Sequence, residues 1–181
     1  KIERPIKWVA ERTESFLTDT HGRDHVTHAE LAVSNDGKFL GFKNETIANL
    51  GAYARVFGTV TPTYLFGPCA TGVYTIPAAY SNVKAVYTNT APVDAYRGAG
   101  RPEATYTIER LVEKAAMELG IDKTEIRMKN FPSEFPFKQT LVHTVDSGDY
   151  VAGLEKAKQM ADYSGFEARR KKSEASGKLR G

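Results

Sequence analysis

The sequence predicts an α+β fold: an antiparallel hairpin-containing sheet followed by helices packed against it. Two strand-like runs flank a polar turn within residues 26–47, a β-branched and aromatic stretch follows at 83–87, and helical periodicity dominates only from residue 102 onward. Strands first and helices afterwards is the order of segregated layers rather than of a wound parallel sheet.

In chain order, Ile6-Lys7-Trp8-Val9 alternates as a short strand and residues 13–18 read as a helical turn. Residues 26–34 and 39–47 surround Asn35-Asp36-Gly37-Lys38, whose residues tolerate left-handed backbone, and form a β-hairpin. Residues 48–66 carry Gly51, Gly58 and Pro62 among aromatics, which predicts an irregular buried segment or short helix. Val83-Lys84-Ala85-Val86-Tyr87 is a strand that delivers the chain to a glycine-rich loop. From Pro102 to Leu119, the spacing of Ile108, Leu111, Val112, Ala115 and Leu119 predicts a helix with one inward face, stopped by Gly120. Asp122 caps a short helix through Lys129. Residues 130–146 form an extended loop pinned by Phe131, Phe135 and Phe137, and Ser147 or Asp149 caps a last helix.

At 181 residues, with 41% hydrophobic and 26% charged residues, the chain can bury a core. No apolar run reaches the ~20 residues of a membrane helix. The single cysteine, Cys69, and the lack of a signal pattern fit a reducing, cytoplasmic setting. The net charge is +3, but residues 166–181 form a charged helical tail in which six basic residues from Arg169 to Arg180 face only Glu167 and Glu174. One terminal cluster reads as a solvated helix end and gives no basic, aromatic-studded face for nucleic acid. Beginning at Lys1 and stopping within that charged stretch, the chain reads as a piece of something larger.

The most informative stretch is Ala95-Tyr96-Arg97-Gly98-Ala99-Gly100-Arg101-Pro102-Glu103. Its glycines permit unusual backbone and close approach, and Pro102 suits a first helical turn. Arg97 and Arg101 offer permanently charged forks at the positive end of a helix dipole, an unfavourable place for cations unless an anion is bound. The dinucleotide fingerprint fails because Glu103 stands at its third glycine, and no Gly-Lys-Ser/Thr phosphate loop follows. His21, His25 and His28 have helical metal-site spacing, but Gly22 disfavours helix, and a strand points His25 and His28 to opposite faces. Cys69, with no base near it in sequence, reads as a small buried filler. Asp146, Ser147 and His143 have the residue types of a hydrolase triad, but a capping loop explains the first two.

The loop, together with Thr88-Asn89-Thr90-Ala91-Pro92, Glu109-Arg110-Leu111, Glu118-Leu119-Gly120-Ile121-Asp122, Ile126-Arg127-Met128-Lys129-Asn130 and Asp146-Ser147-Gly148-Asp149-Tyr150, resembles the molybdenum-binding large subunit of the xanthine dehydrogenase, aldehyde oxidase and aerobic carbon monoxide dehydrogenase family. Arg4-Pro5-Ile6-Lys7-Trp8 and Glu11-Arg12-Thr13-Glu14 also fit. The resemblance implies that residues 1–165 are a portion of a molybdopterin-binding domain. It implies a molybdopterin cofactor, usually its cytosine dinucleotide form, that hydroxylates an electron-poor carbon with oxygen from water. Electrons then leave through 2Fe-2S clusters to FAD on a small and a medium partner subunit. Arg97 corresponds to the position bordering the molybdenum without ligating it, with Gly98, Ala99 and Gly100 shaping the loop beside it.

Three departures from the family pattern narrow the chemistry. Carbon monoxide oxidisers have a copper-holding cysteine at the position of Gly98; purine oxidisers have a stacking phenylalanine at Ala99 and a substrate-binding arginine near Leu65. An aldehyde or N-heterocycle remains. The family's upstream molybdenum-binding loop and downstream base glutamate lie outside this chain, so no catalytic base is expected within it and the isolated chain is expected to be inactive. The rival reading is a binding or scaffold module that keeps the fold without the reaction.

Overall fold

A computed structural model describes residues 2–181. Helix α1 (Arg12–Thr18) precedes strands β1 (His25–Val33) and β2 (Phe39–Gly51). A helical passage follows, made of α2 (Val56–Val60), a π-helical turn (Thr61–Phe66) and a 3₁₀ turn (Gly67–Cys69), and leads to β3 (Ala79–Tyr87). Then come α3 (Arg101–Leu119), α4 (Lys123–Asn130), a two-residue ribbon β4 (Phe137–Lys138) and β5 (Thr144–Val145), α5 (Tyr150–Met160) and α6 (Phe166–Glu174).

The hairpin forms where its pattern puts it, with Leu31 opposite Phe42 and Thr27 opposite Thr46. The sheet order is β1-β2-β3, and β3 runs parallel to β2, so the sheet is mixed rather than wholly antiparallel. The intervening helical passage makes this possible, because a parallel return needs a crossover. Phe42, Asn44, Thr46, Ala48 and Leu50 on alternate positions of β2 are buried, as a central strand with one covered face requires.

That face is covered by α3. Ile108, Val112 and Ala116 on its inner stripe join Phe39, Phe42, Ala70, Tyr74, Ile76 and Ile126 in one core. Leu111 and Ala115 pack at the margin of that cluster. Arg127 of α4 donates to Glu109 and Glu113 of α3, both at 2.7 Å, and Glu109 also accepts from the Tyr74 hydroxyl at 2.6 Å. Burial and the Glu109 carboxylate push the Tyr74 hydroxyl well above its ordinary range. Buried Asn130 closes the other side: its amide donates to the Gly37 and Ile126 carbonyls and accepts from Phe39 N–H, each at 2.8 Å, tying the hairpin turn to the end of α4. Phe131 stacks on Tyr74 at 5.7 Å and both Phe131 and Phe135 meet Tyr150, which pins the loop that leads to α5.

Two expectations are corrected. Residues 6–9 form no strand: Ile6, Trp8 and Val9 are exposed and no neighbouring strand offers ladder partners. Strand β2 continues through Ala48–Gly51 before the passage turns helical, because β3 extends the sheet on that side. Asp149, not Ser147, caps α5, accepting from Ala152 N–H at 2.9 Å.

Asp122 caps α4, its carboxylate accepting from Thr124 N–H at 2.7 Å and Glu125 N–H at 3.2 Å. Burial works to raise this carboxyl, but hydrogen bonds from Thr124, Tyr163 and the Glu125 amide outweigh it and hold it at about 2. The stabilisation is present above the unfolded pKa near 4 and is lost as pH falls through the folded value. Asp122→Ala therefore lowers stability by about 1 kcal/mol at neutral pH in urea unfolding, and its difference from the parent closes between about pH 4 and pH 2.

Candidate functional site

The end of β2 and the segment after β3 build a ledge for the arginine loop. Asn49 is its hub, donating to Asp24 at 2.7 Å and Thr90 at 3.0 Å while accepting from Gly51 N–H and the Thr88 hydroxyl, both at 2.7 Å. Backbone bonds from Val93 N–H to Leu50, from His21 N–H to Pro92 and from Asp94 N–H to His21 continue the ledge to residue 94. The Thr88-Asn89-Thr90-Ala91-Pro92 motif is thus an anchor that aims the next residues.

Beyond it, Gly98, Ala99 and Gly100 all have positive φ, at 96°, 43° and 85°. Ala99 N–H bonds back to the Tyr96 carbonyl at 2.8 Å and Arg101 N–H to Gly98 at 3.3 Å, a tight coil that runs straight into α3. A Cβ on Gly100 would lie 2.7 Å from both Phe66 N and Thr61 O and 2.8 Å from Leu65 C. The loop therefore sits backbone against backbone on the π-helical turn that carries Leu65. Ala99, the neighbour of Gly100, and half-buried Leu65, far apart in sequence, thus lie on two segments that touch through their main chains.

Arg97 is exposed at the crest of this coil. Among the described residues its side chain makes no ion pair or hydrogen bond; its carbonyl accepts from Arg23 Nη2. Arg101 is exposed in the first turn of α3, where it opposes the helix dipole and Glu103 complements it. Beside the loop, a groove of about 700 Å³ runs between β1 and α3, lined by Arg23, His25, Glu103, Tyr106 and Arg110 among others. His25 Nδ1 and Glu103 Oε2 are buried there without hydrogen-bond partners. Burial holds the His25 imidazole below its ordinary pKa, against the pull of Glu103 and Asp24, so it is neutral at pH 7.

The other candidates separate. His25 and His28 lie on opposite faces of β1, and His21 Nε2 lies 3.3 Å from the Phe16 carbonyl. Among the described residues no group of three or more His, Cys, Asp or Glu side chains could hold a metal ion. Cys69 does have a base beside it, which its sequence neighbours conceal: His143 Nε2, from the turn between β4 and β5, lies 3.4 Å from Sγ. Burial pushes the Cys69 thiol up, partly offset by Arg101, so the pair is a thiol hydrogen-bonded to an imidazole. His143 is thereby engaged away from Ser147, whose hydroxyl meets Asp146 at 3.5 Å. Sequence reading passed over Asn49 and Arg23, whose partners lie 39 and 74 positions away. Neither position carries a local signal, since Arg23 precedes β1 and Asn49 is one of several polar residues in β2.

The chain belongs to the molybdopterin cofactor-binding domain family, which matches residues 1–131. The carbon monoxide dehydrogenase large chain of Hydrogenophaga pseudoflava is 42% identical over 172 residues, 92% of this chain and 21% of that one. Subunit gamma of the 6-hydroxypseudooxynicotine dehydrogenase complex of Paenarthrobacter nicotinovorans is 36% identical over 185 residues, covering 96% of this chain and 23% of its own length. Quinoline 2-oxidoreductase from Pseudomonas putida 86 superimposes with a TM-score of 0.87 at 32% identity, over 94% of this chain and 22% of that one. The chain spans about a fifth of the length of these relatives.

The backbone contact at Gly100 yields a direct test. Gly100→Ala adds a side chain at φ 85° into main-chain atoms that cannot swing aside, and is expected to cost about 3 kcal/mol in thermal or urea unfolding.

Proposed function

We propose that this chain forms one wall of the active centre in the catalytic large subunit of a molybdenum hydroxylase, which oxidises a small aldehyde or N-heterocycle with water as the source of oxygen. The observation that carries the reading is the Arg97 guanidinium, held exposed and without a carboxylate on a coil whose backbone is fixed from both sides. These residues fit an anionic cofactor: an unpaired planar cation at a helix N-terminus supplies charge and donors where negative charge is favoured. When bound, molybdopterin in its cytosine dinucleotide form supplies the redox chemistry. Arg97 would stand at the edge of the molybdenum site and supply positive charge and donors to its anionic surroundings, Gly98 and Gly100 would leave the approach free of side chains, and Ala99 with Leu65 would bound the substrate pocket. The base glutamate would come from another segment of the large subunit. A small 2Fe-2S subunit and a medium FAD subunit carry the electrons away, in the cytoplasm.

Space around the coil limits the substrate. A Cβ on Gly98 would stand 2.6 Å from Pro102 Cγ at φ 96°, so this backbone has no place for the thiol a copper site needs, which speaks against carbon monoxide despite the 42% relative. Ala99 offers no ring for purine stacking and Leu65 no charge for a purine oxygen. A short apolar pair suits a small ring or an aldehyde, and two similar proteins are named for the N-heterocycle quinoline and for a nicotine derivative.

Arg97→Ala in the complete cofactor-loaded enzyme is expected to lower turnover on the order of 100-fold with the fold intact; unchanged turnover removes Arg97 from the site. Residues that grip the cofactor lie mostly in other segments, so elemental analysis of the purified 181-residue chain should find substoichiometric molybdenum, and one metal per chain would overturn that division of labour.

A further inference from the structure

We propose that Arg23 is a positioning residue for Arg97. The backbone around His21 is joined on both sides to the ledge, accepting from Asp94 and donating to Pro92, so Arg23 leaves a rigid base. From there its guanidinium reaches three parts of the loop at once. Nη2 donates to the Arg97 carbonyl, Cζ lies 4.6 Å above the Tyr96 ring, and Nε lies 3.8 Å from Glu103 in the first turn of α3. A planar fork that stacks, pairs and donates together does what a lysine point charge cannot.

The contact acts on a peptide of the coil that no backbone hydrogen bond engages. Tyr96, Arg97 and Gly98 are exposed, and the coil's internal bonds start from the Tyr96 carbonyl and end at Arg101, leaving the Arg97–Gly98 peptide to Arg23. Holding that carbonyl fixes the peptide plane from which the Arg97 side chain departs. Arg23 also places a positive charge beside Glu103 in the first turn of α3. The inference rests on the proposed role of Arg97, but the hold on the loop can be measured without it.

The test is amide hydrogen exchange and molybdenum(V) electron paramagnetic resonance on the complete enzyme carrying Arg23→Gln, Arg23→Lys or Arg97→Ala. Loss of a charge-assisted bond should speed exchange at Ala99 and Arg101 roughly tenfold in Arg23→Gln, leaving α4 unchanged, with a smaller rise at the same amides in Arg23→Lys. The metal signal should shift in Arg23→Gln in the direction seen for Arg97→Ala. Arg23→Lys keeps a charge beside Glu103 and guards against loss of the fold. Parent-like exchange at both amides in both Arg23 variants overturns the clamp. Faster exchange with a metal signal indifferent to Arg97→Ala upholds the clamp and overturns the reading of Arg97 instead.

Discussion

The approach of Gly100 to the main chain of Thr61 and Phe66 is the constraint on which the site depends. It joins the start of α3 to the crossover between β2 and β3, and so makes one body of two regions separated by the whole length of β3. The buried stripe of α3 then registers on the sheet, Ala104 and Ile108 following directly from the coil. Because the contact is between backbones, no rotamer change can loosen it. The positive φ values of three consecutive residues are the geometric cost of reaching it, borne where two of the three lack a Cβ.

Electrostatics around the coil is divided between neighbours with different tasks. Arg101 and Glu103 share the first turn of α3 with opposite relations to its dipole, Glu103 is drawn toward Arg23, and Arg97 is left with its charge uncommitted. The ion cluster of Arg127 with Glu109 and Glu113, farther along α3, shows the contrasting arrangement, in which Nε and Nη2 of the fork meet carboxylates, Nη1 meets the Lys123 carbonyl, and the result is structural. An arginine with partners fastens helices together; one without them remains available to a ligand.

The elements that were legible in the sequence are those specified by local chemistry. Asn35-Asp36-Gly37 between alternating runs could only turn, and the stripe of α3 with Gly120 after it needs no distant partner to be read. The glycines and arginines of the loop also stand next to each other in the chain, so the candidate site was visible as a string. What was hidden depends on pairing across distance. Alternation at Ile6-Lys7-Trp8-Val9 suggested a strand, but a strand exists only where another supplies its hydrogen bonds. The parallel sense of β3, the meeting of Cys69 with His143 and the hub at Asn49 follow from the crossover, which no periodicity announces.

The parallel return of β3 has a kinetic consequence. The β1–β2 hairpin closes over a few residues and α3 forms from neighbouring contacts, whereas Phe42 meets Ala79 only after the entire helical passage has been gathered. The hairpin and α3 each form from local contacts, whereas pairing β2 with β3 and seating α3 on the sheet both close long loops, the second longer than the first. The segment that presents Arg97 is strung between β3 and α3, and reaches its final shape only when both ends are in place. The coil that carries Arg97 thus depends on the long-range closures of the fold and not on its own sequence alone.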